Sequence, residues 1–100
     1  MNKTTQEILM KLKIALEKIY GKRLEGLYLY GSNARGEERH GSDLDVAMIL
    51  DNFERPWFEI QRTSQLVSDL SLEYDITISL IPLRASDWKE KQKSLVRNIH

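Results

Sequence analysis

The sequence predicts an α/β protein of the mixed α+β kind, a small mixed sheet of three or more strands packed against helices. Three observations carry that prediction. Apolar residues recur at helical spacing near the start, in the middle and at the end of the chain. Three short runs rich in strand formers lie between them. No repeat, low-complexity tract or linker divides the 100 residues, a length that suits one domain over 1–100.

The elements follow in order. Thr4 and Glu7 have capping-box spacing, after which Ile8, Leu12, Ala15 and Ile19 share a helical face with Leu9 and Leu16 beside it. Gly21 is placed to stop that helix. Leu27-Tyr28-Leu29-Tyr30 reads as a strand ended by Gly31. Residues 31–36 suit one helical turn, and 37–42 are polar. Residues 43–50 form a second strand, polar at its start and apolar from Val46 onward, the pattern of a strand covered on both faces. Pro56 suits the first turn of a helix whose buried stripe is Trp57, Ile60, Val67 and Leu70, with Phe58 and Leu66 adjoining. Residues 75–81 are expected as a third strand that Pro82 ends. Ser86 caps a last helix in which Trp88, Leu95 and Ile99 share a face.

Composition removes several functions. With no cysteine, the chain has no disulfide, zinc–thiolate site or thiol nucleophile. Fifteen Lys and Arg balance fifteen Asp and Glu, so no excess of cations is available to displace phosphate counterions, and strong nucleic-acid binding is not expected. The apolar runs are too short to span a bilayer, and the opening MNKTTQEILMK lacks the apolar core of a signal peptide. A cytoplasmic protein is expected.

The chemistry concentrates in two stretches, Leu29-Tyr30-Gly31-Ser32-Asn33-Ala34-Arg35-Gly36 and Gly41-Ser42-Asp43-Leu44-Asp45-Val46. Glycine after a strand lets the backbone turn sharply, and the serine hydroxyl with the following amides can donate to phosphate oxygens. The plain alternative is an ordinary strand-ending turn. Asp43 and Asp45, two residues apart at the start of a strand, point to one face, where they repel unless a cation lies between them. Hard oxygen donors select Mg²⁺ or Mn²⁺. A solvated acidic loop is the alternative here. Asp75, at the start of the expected third strand, can join the pair if that strand is its neighbour; taken alone it reads as a turn or cap residue. Arg35 either adds charge to a phosphate cradle or fixes the loop through a salt bridge. Arg39 and His40 read as solvated, His100 as a chain end, and Tyr20, Tyr28 and Tyr30 as core. Trp57 and Trp88 read as helix anchors in the core.

The combination is more specific than its parts. A Gly-Ser turn, ten residues from Ser32 to Asp43, Asp-x-Asp on an apolar strand and a later Asp resemble the nucleotidyltransferase superfamily related to DNA polymerase beta. More narrowly, the chain resembles its minimal nucleotidyltransferases, the antitoxin half of HEPN–MNT toxin–antitoxin pairs. Gly-Ser-x-Ala-Arg-Gly and Ser-Asp-Leu-Asp match in order and spacing, across nearly the whole chain. Asn33 departs from the basic residue many relatives carry. The resemblance implies the nucleotidyltransferase fold and transfer of AMP from ATP to a hydroxyl by two divalent ions, Mg²⁺ or Mn²⁺. In that scheme Asp43, Asp45 and Asp75 ligate the ions, Asp75 also taking the acceptor's proton, while Gly31, Ser32 and Arg35 hold phosphates. It also implies the acceptor, a tyrosine of a HEPN-domain toxin ribonuclease. A non-catalytic antitoxin that acts by binding is the alternative. Transfer to a small molecule ranks lower, because the chain has no room for an acceptor domain, and a polymerase ranks lowest.

Overall fold

A computed structural model describes residues 3–30 and 43–90 of the chain. The described elements are α1 (Lys3–Tyr20), a 3-10 turn (Gly21–Arg23), β1 (Leu24–Tyr30), β2 (Leu44–Leu50), α2 (Pro56–Tyr74) and β3 (Ile78–Arg84). Residues 85–90 are helical. This mixed α+β arrangement is the predicted fold class.

The sheet has the order β1-β2-β3, with β1 antiparallel and β3 parallel to the central β2. Its first face is the core. Leu44, Val46, Met48 and Leu50 are fully buried and cluster with Ile78 and Leu80 of β3 and with Ile8, Leu12 and Leu16 of α1. The alternation of a strand sends Asp45, Ala47 and Ile49 to the second face. Ala47 and Ile49 are buried there too, as expected for a strand covered on both sides. Trp88 of helical residues 85–90 stacks on Tyr28, ring centroids 4.7 Å apart, and so lies on that second face. Gly26, two residues before Tyr28, makes room for the tyrosine: a Cβ on Gly26 would stand 2.8 Å from the Tyr28 ring.

Several boundaries differ from the expected ones for physical reasons. α1 is already helical at Lys3, so Thr4 lies inside it. Its buried stripe is Thr5-Ile8-Leu12-Leu16-Tyr20, and Ile19 is exposed. Gly21 ends the helix in the left-handed conformation, φ 58°. β1 begins at Leu24, three residues before the expected start.

In α2 the buried positions are Glu59, Thr63 and Leu70, while Trp57, Phe58 and Ile60 are exposed. A charged residue takes the inward place because its partners are built in. The Tyr20 hydroxyl donates to the Glu59 carboxylate at 2.7 Å, and the Arg62 guanidinium stands 3.9 Å from it. Trp57 is therefore not a core anchor.

β3 is displaced toward the C-terminus, and Pro82 lies within it. β3 is an edge strand, where a missing N–H need not break the ladder. At the far end of β2, Arg84 donates to the carbonyls of Phe53 and Glu54, and Arg23 to the carbonyl of Asn52, so two arginines tie down the β2–α2 connection.

Candidate functional site

The chemistry-bearing residues gather at the N-terminal end of β2. Asp43 stands immediately before the strand and is exposed; Asp45 is its second residue and half-buried. Two-residue spacing puts both carboxylates on the second face, away from α1 and α2. The antiparallel register sets Tyr30 opposite Asp45, and the parallel register sets Ser79 on the other side of it. The Leu44 amide donates to the Thr77 carbonyl at 2.8 Å, which brings Thr77 alongside Asp43. Tyr30, Asp45 and Ser79 thus form one row across the sheet, with Asp43 and Thr77 at its rim.

Electrostatics agree with this row. Partial burial and then the charge of Asp45 push the Tyr30 phenol above its ordinary value. Tyr30 is thus a site neighbour and not merely a core residue. Nothing local in the sequence shows this, because the adjacency comes from cross-strand register.

Asp75 stands elsewhere. It caps α2 in the left-handed conformation, φ 51° and ψ 50°, with its backbone N–H donating to the Ser71 carbonyl. It is exposed and lies three residues before the first residue of β3. Asp43, Asp45 and Asp75 do not come together as a metal-holding trio, and no group of three or more metal-ligating side chains occurs among the described residues. Gly31, Ser32 and Arg35 lie outside the described residues, as do Asn33, Arg39, His40, Leu95, Ile99 and His100. Tyr30, the last residue of β1, leads directly into Gly31-Ser32.

The donor set fits a hard divalent cation. Mg²⁺ is commonly held by one or two carboxylates with substrate phosphates completing the shell, and Asp43 with Asp45 supply two on one face. Two grooves, of about 340 and 390 Å³, run along α1 and β1 and beside the start of α2; neither is lined by Asp43 or Asp45.

Against known families, a model described as polymerase beta, nucleotidyltransferase matches residues 4–99. The chain belongs to this nucleotidyltransferase family. A similar protein from Methanocaldococcus jannaschii, which bears the name "Putative protein adenylyltransferase", is 37% identical over 76 residues, 75% of each chain. No solved structure matches. Family membership makes the chain a nucleotidyltransferase, an enzyme class that takes a nucleoside triphosphate as substrate. Among the described residues, no helix is long and apolar enough to cross a membrane.

Proposed function

We propose that this nucleotidyltransferase is a protein adenylyltransferase. In this reading a single domain over 1–100 moves AMP from ATP to a hydroxyl of a partner protein, a tyrosine of a HEPN-domain toxin ribonuclease, and so acts as a cytoplasmic antitoxin. The observation that carries the reading is the placement of Asp43 and Asp45 on one face, beside the strand end that runs into Gly31-Ser32. The name of the archaeal relative supports protein as the acceptor, and the resemblance to minimal nucleotidyltransferases supports the HEPN partner.

The acceptor hydroxyl gives its proton to water and attacks the α-phosphorus, the bond from that phosphorus to the bridging oxygen breaks, and pyrophosphate leaves. Charge gathers on the attacking, leaving and equatorial oxygens. Divalent ions, two Mg²⁺ with Mn²⁺ as substitute, supply neutralisation of that charge when bound. Asp43 and Asp45 would hold this positive charge at the end of β2. Gly31 and Ser32 bind the β- and γ-phosphates through backbone amides and the hydroxyl, and Arg35 adds charge to the same cradle.

Co-expression with a HEPN-domain ribonuclease tests this. The ribonuclease is expected to gain mass in steps of one AMP and to lose nuclease activity. Unchanged mass, or equal modification by Asp43→Asn plus Asp45→Asn, overturns the reading.

A further inference from the structure

We propose that β1 is the interface of a symmetric dimer, in which the β1 strands of two copies of this chain pair antiparallel and join their three-stranded sheets into one. The inference stands apart from the chemistry at Asp43 and Asp45. β1 lies at one edge of the sheet and β3 at the other. Every second residue of an edge strand turns its N–H and C=O away from its neighbour, toward any strand that can receive them. The two edges differ. β3 holds Pro82, which has no N–H to give, whereas β1 holds neither proline nor lysine, residues that guard an edge. The irregularity in the pairing of β1 with β2 is confined to Leu24–Gly26, and the ladder is regular from there to Tyr30.

The edge of β1 is also open. The groove of about 340 Å³ is lined by five consecutive residues of the strand, Leu24 to Tyr28, and by Leu9, Lys13 and Glu17 of α1. Consecutive residues point to opposite faces of a sheet, so a groove that touches all five follows the edge and not one face. Leu9, Leu24 and Leu27 are half-buried and pack against the core, which gives the groove an apolar floor.

The helix beside the groove supplies a second observation. Met10 and Ile14 of α1 are 65% and 53% exposed. Met10 is three residues from Lys13 and Ile14 three from Glu17, so this apolar pair borders the groove wall. Pairing through β1 sets α1 of both copies side by side on the same face of the joined sheet, where these side chains meet their counterparts.

Charge selects a second copy as the occupant. Glu17 lies in the last turn of α1 and Glu25 is the second residue of β1, so both stand where helix and strand are joined. Lys13 stands one turn further along α1. A two-fold axis across the strand reverses the groove, so the acidic end of each copy faces the Lys13 side of the other. Walls of a single sign would repel their copy; these are complementary to themselves.

Sedimentation velocity over a wide range of concentration, without nucleotide, tests the proposal. Wild type is expected to form a dimer. Lys13→Glu should weaken it at least about tenfold, and adding Glu17→Lys with Glu25→Lys should restore it to within about threefold. Ile14→Asp should weaken it at least about tenfold, whereas Trp57→Ser, at an exposed aromatic away from the groove, should leave it within about twofold. The chain has no cysteine, so Glu25→Cys treated with a short bifunctional maleimide should give a covalent dimer, and Trp57→Cys should not. Thermal melting shows which variants are folded, and the Glu25→Cys cross-link decides should Lys13→Glu not fold. A wild type that stays monomeric at every concentration overturns the proposal. So does a dimer that Lys13→Glu leaves intact, a folded charge swap that fails to restore it, disruption by Trp57→Ser, or cross-linking through Trp57→Cys and not through Glu25→Cys.

Discussion

Asp75 carries its backbone at a φ of 51°, a conformation that costs an L-residue roughly 1–2 kcal/mol, although Asp tolerates it better than most. Glycine relieves that strain but adds roughly 0.5–1 kcal/mol of chain entropy to the unfolded state. Strain relief is the larger effect, so Asp75→Gly should be neutral to about 1 kcal/mol stabilising in urea denaturation, and Asp75→Val destabilising by about 1–2 kcal/mol. A marked loss of stability in Asp75→Gly would mean that the carboxylate makes a contact the fold depends on. The stretch Tyr74-Asp75-Ile76-Thr77-Ile78 also shows why this residue was hard to place from sequence. Polar and apolar residues alternate without interruption from Asp75 to Leu80, so the strand pattern extends back through the turn. The helix end takes those residues first. Asp43 and Asp45 were legible because their relation is local, two residues on one strand. The third partner depends on which β3 residue lies alongside, and register between paired residues 34 positions apart, such as Leu44 and Ile78, has no local signature.

At the scale of elements, α1 and α2 meet through a buried polar contact. Tyr20→Phe would remove the hydroxyl that donates to Glu59 and leave a buried carboxylate short of a donor, at a cost of about 1–3 kcal/mol at neutral pH. Burial, reinforced by that hydrogen bond, holds the Tyr20 phenol well above its ordinary value of 10.0. The folded state then keeps a proton that the unfolded chain gives up. The stabilisation is complete below about pH 10 and is lost as pH rises further. Melting temperature should consequently fall more between pH 9 and pH 11 in wild type than in Tyr20→Phe; parallel curves would contradict the linkage. The same contact explains the misread face of α2. Hydropathy spacing puts Trp57 and Ile60 inward and Glu59 outward, and a tyrosine 39 residues away helps to reverse the choice. On the other side of the sheet, Gly26→Ala should push the Tyr28 ring off Trp88, lose about 0.5–1.5 kcal/mol and alter indole fluorescence. Unchanged fluorescence would show that the ring can yield in place.

For the whole molecule, stability and chemistry sit on the same strand but at different positions. Met48 is fully buried in the middle of β2, so Met48→Ala should cost about 2–5 kcal/mol. Trp57, 61% exposed, should tolerate alanine within about 0.5 kcal/mol, a contrast that chemical denaturation measures directly. A loss at Trp57 as large as that at Met48 would contradict the assigned core. The apolar half of β2 anchors the sheet, and its polar end carries the carboxylates. Architecture and family were readable in the sequence because helix periods, the apolar strand and the Ser-Asp-Leu-Asp motif are all short-range. The most direct measurement of the central claim uses two ATP samples, one labelled on the α-phosphate and one on the γ-phosphate, with Mg²⁺ and a HEPN-domain ribonuclease. The account predicts label on the ribonuclease from the α-labelled sample alone, and none from either sample with Asp43→Asn plus Asp45→Asn. Transfer of the γ-label, or α-label transfer that survives the double substitution, would contradict it.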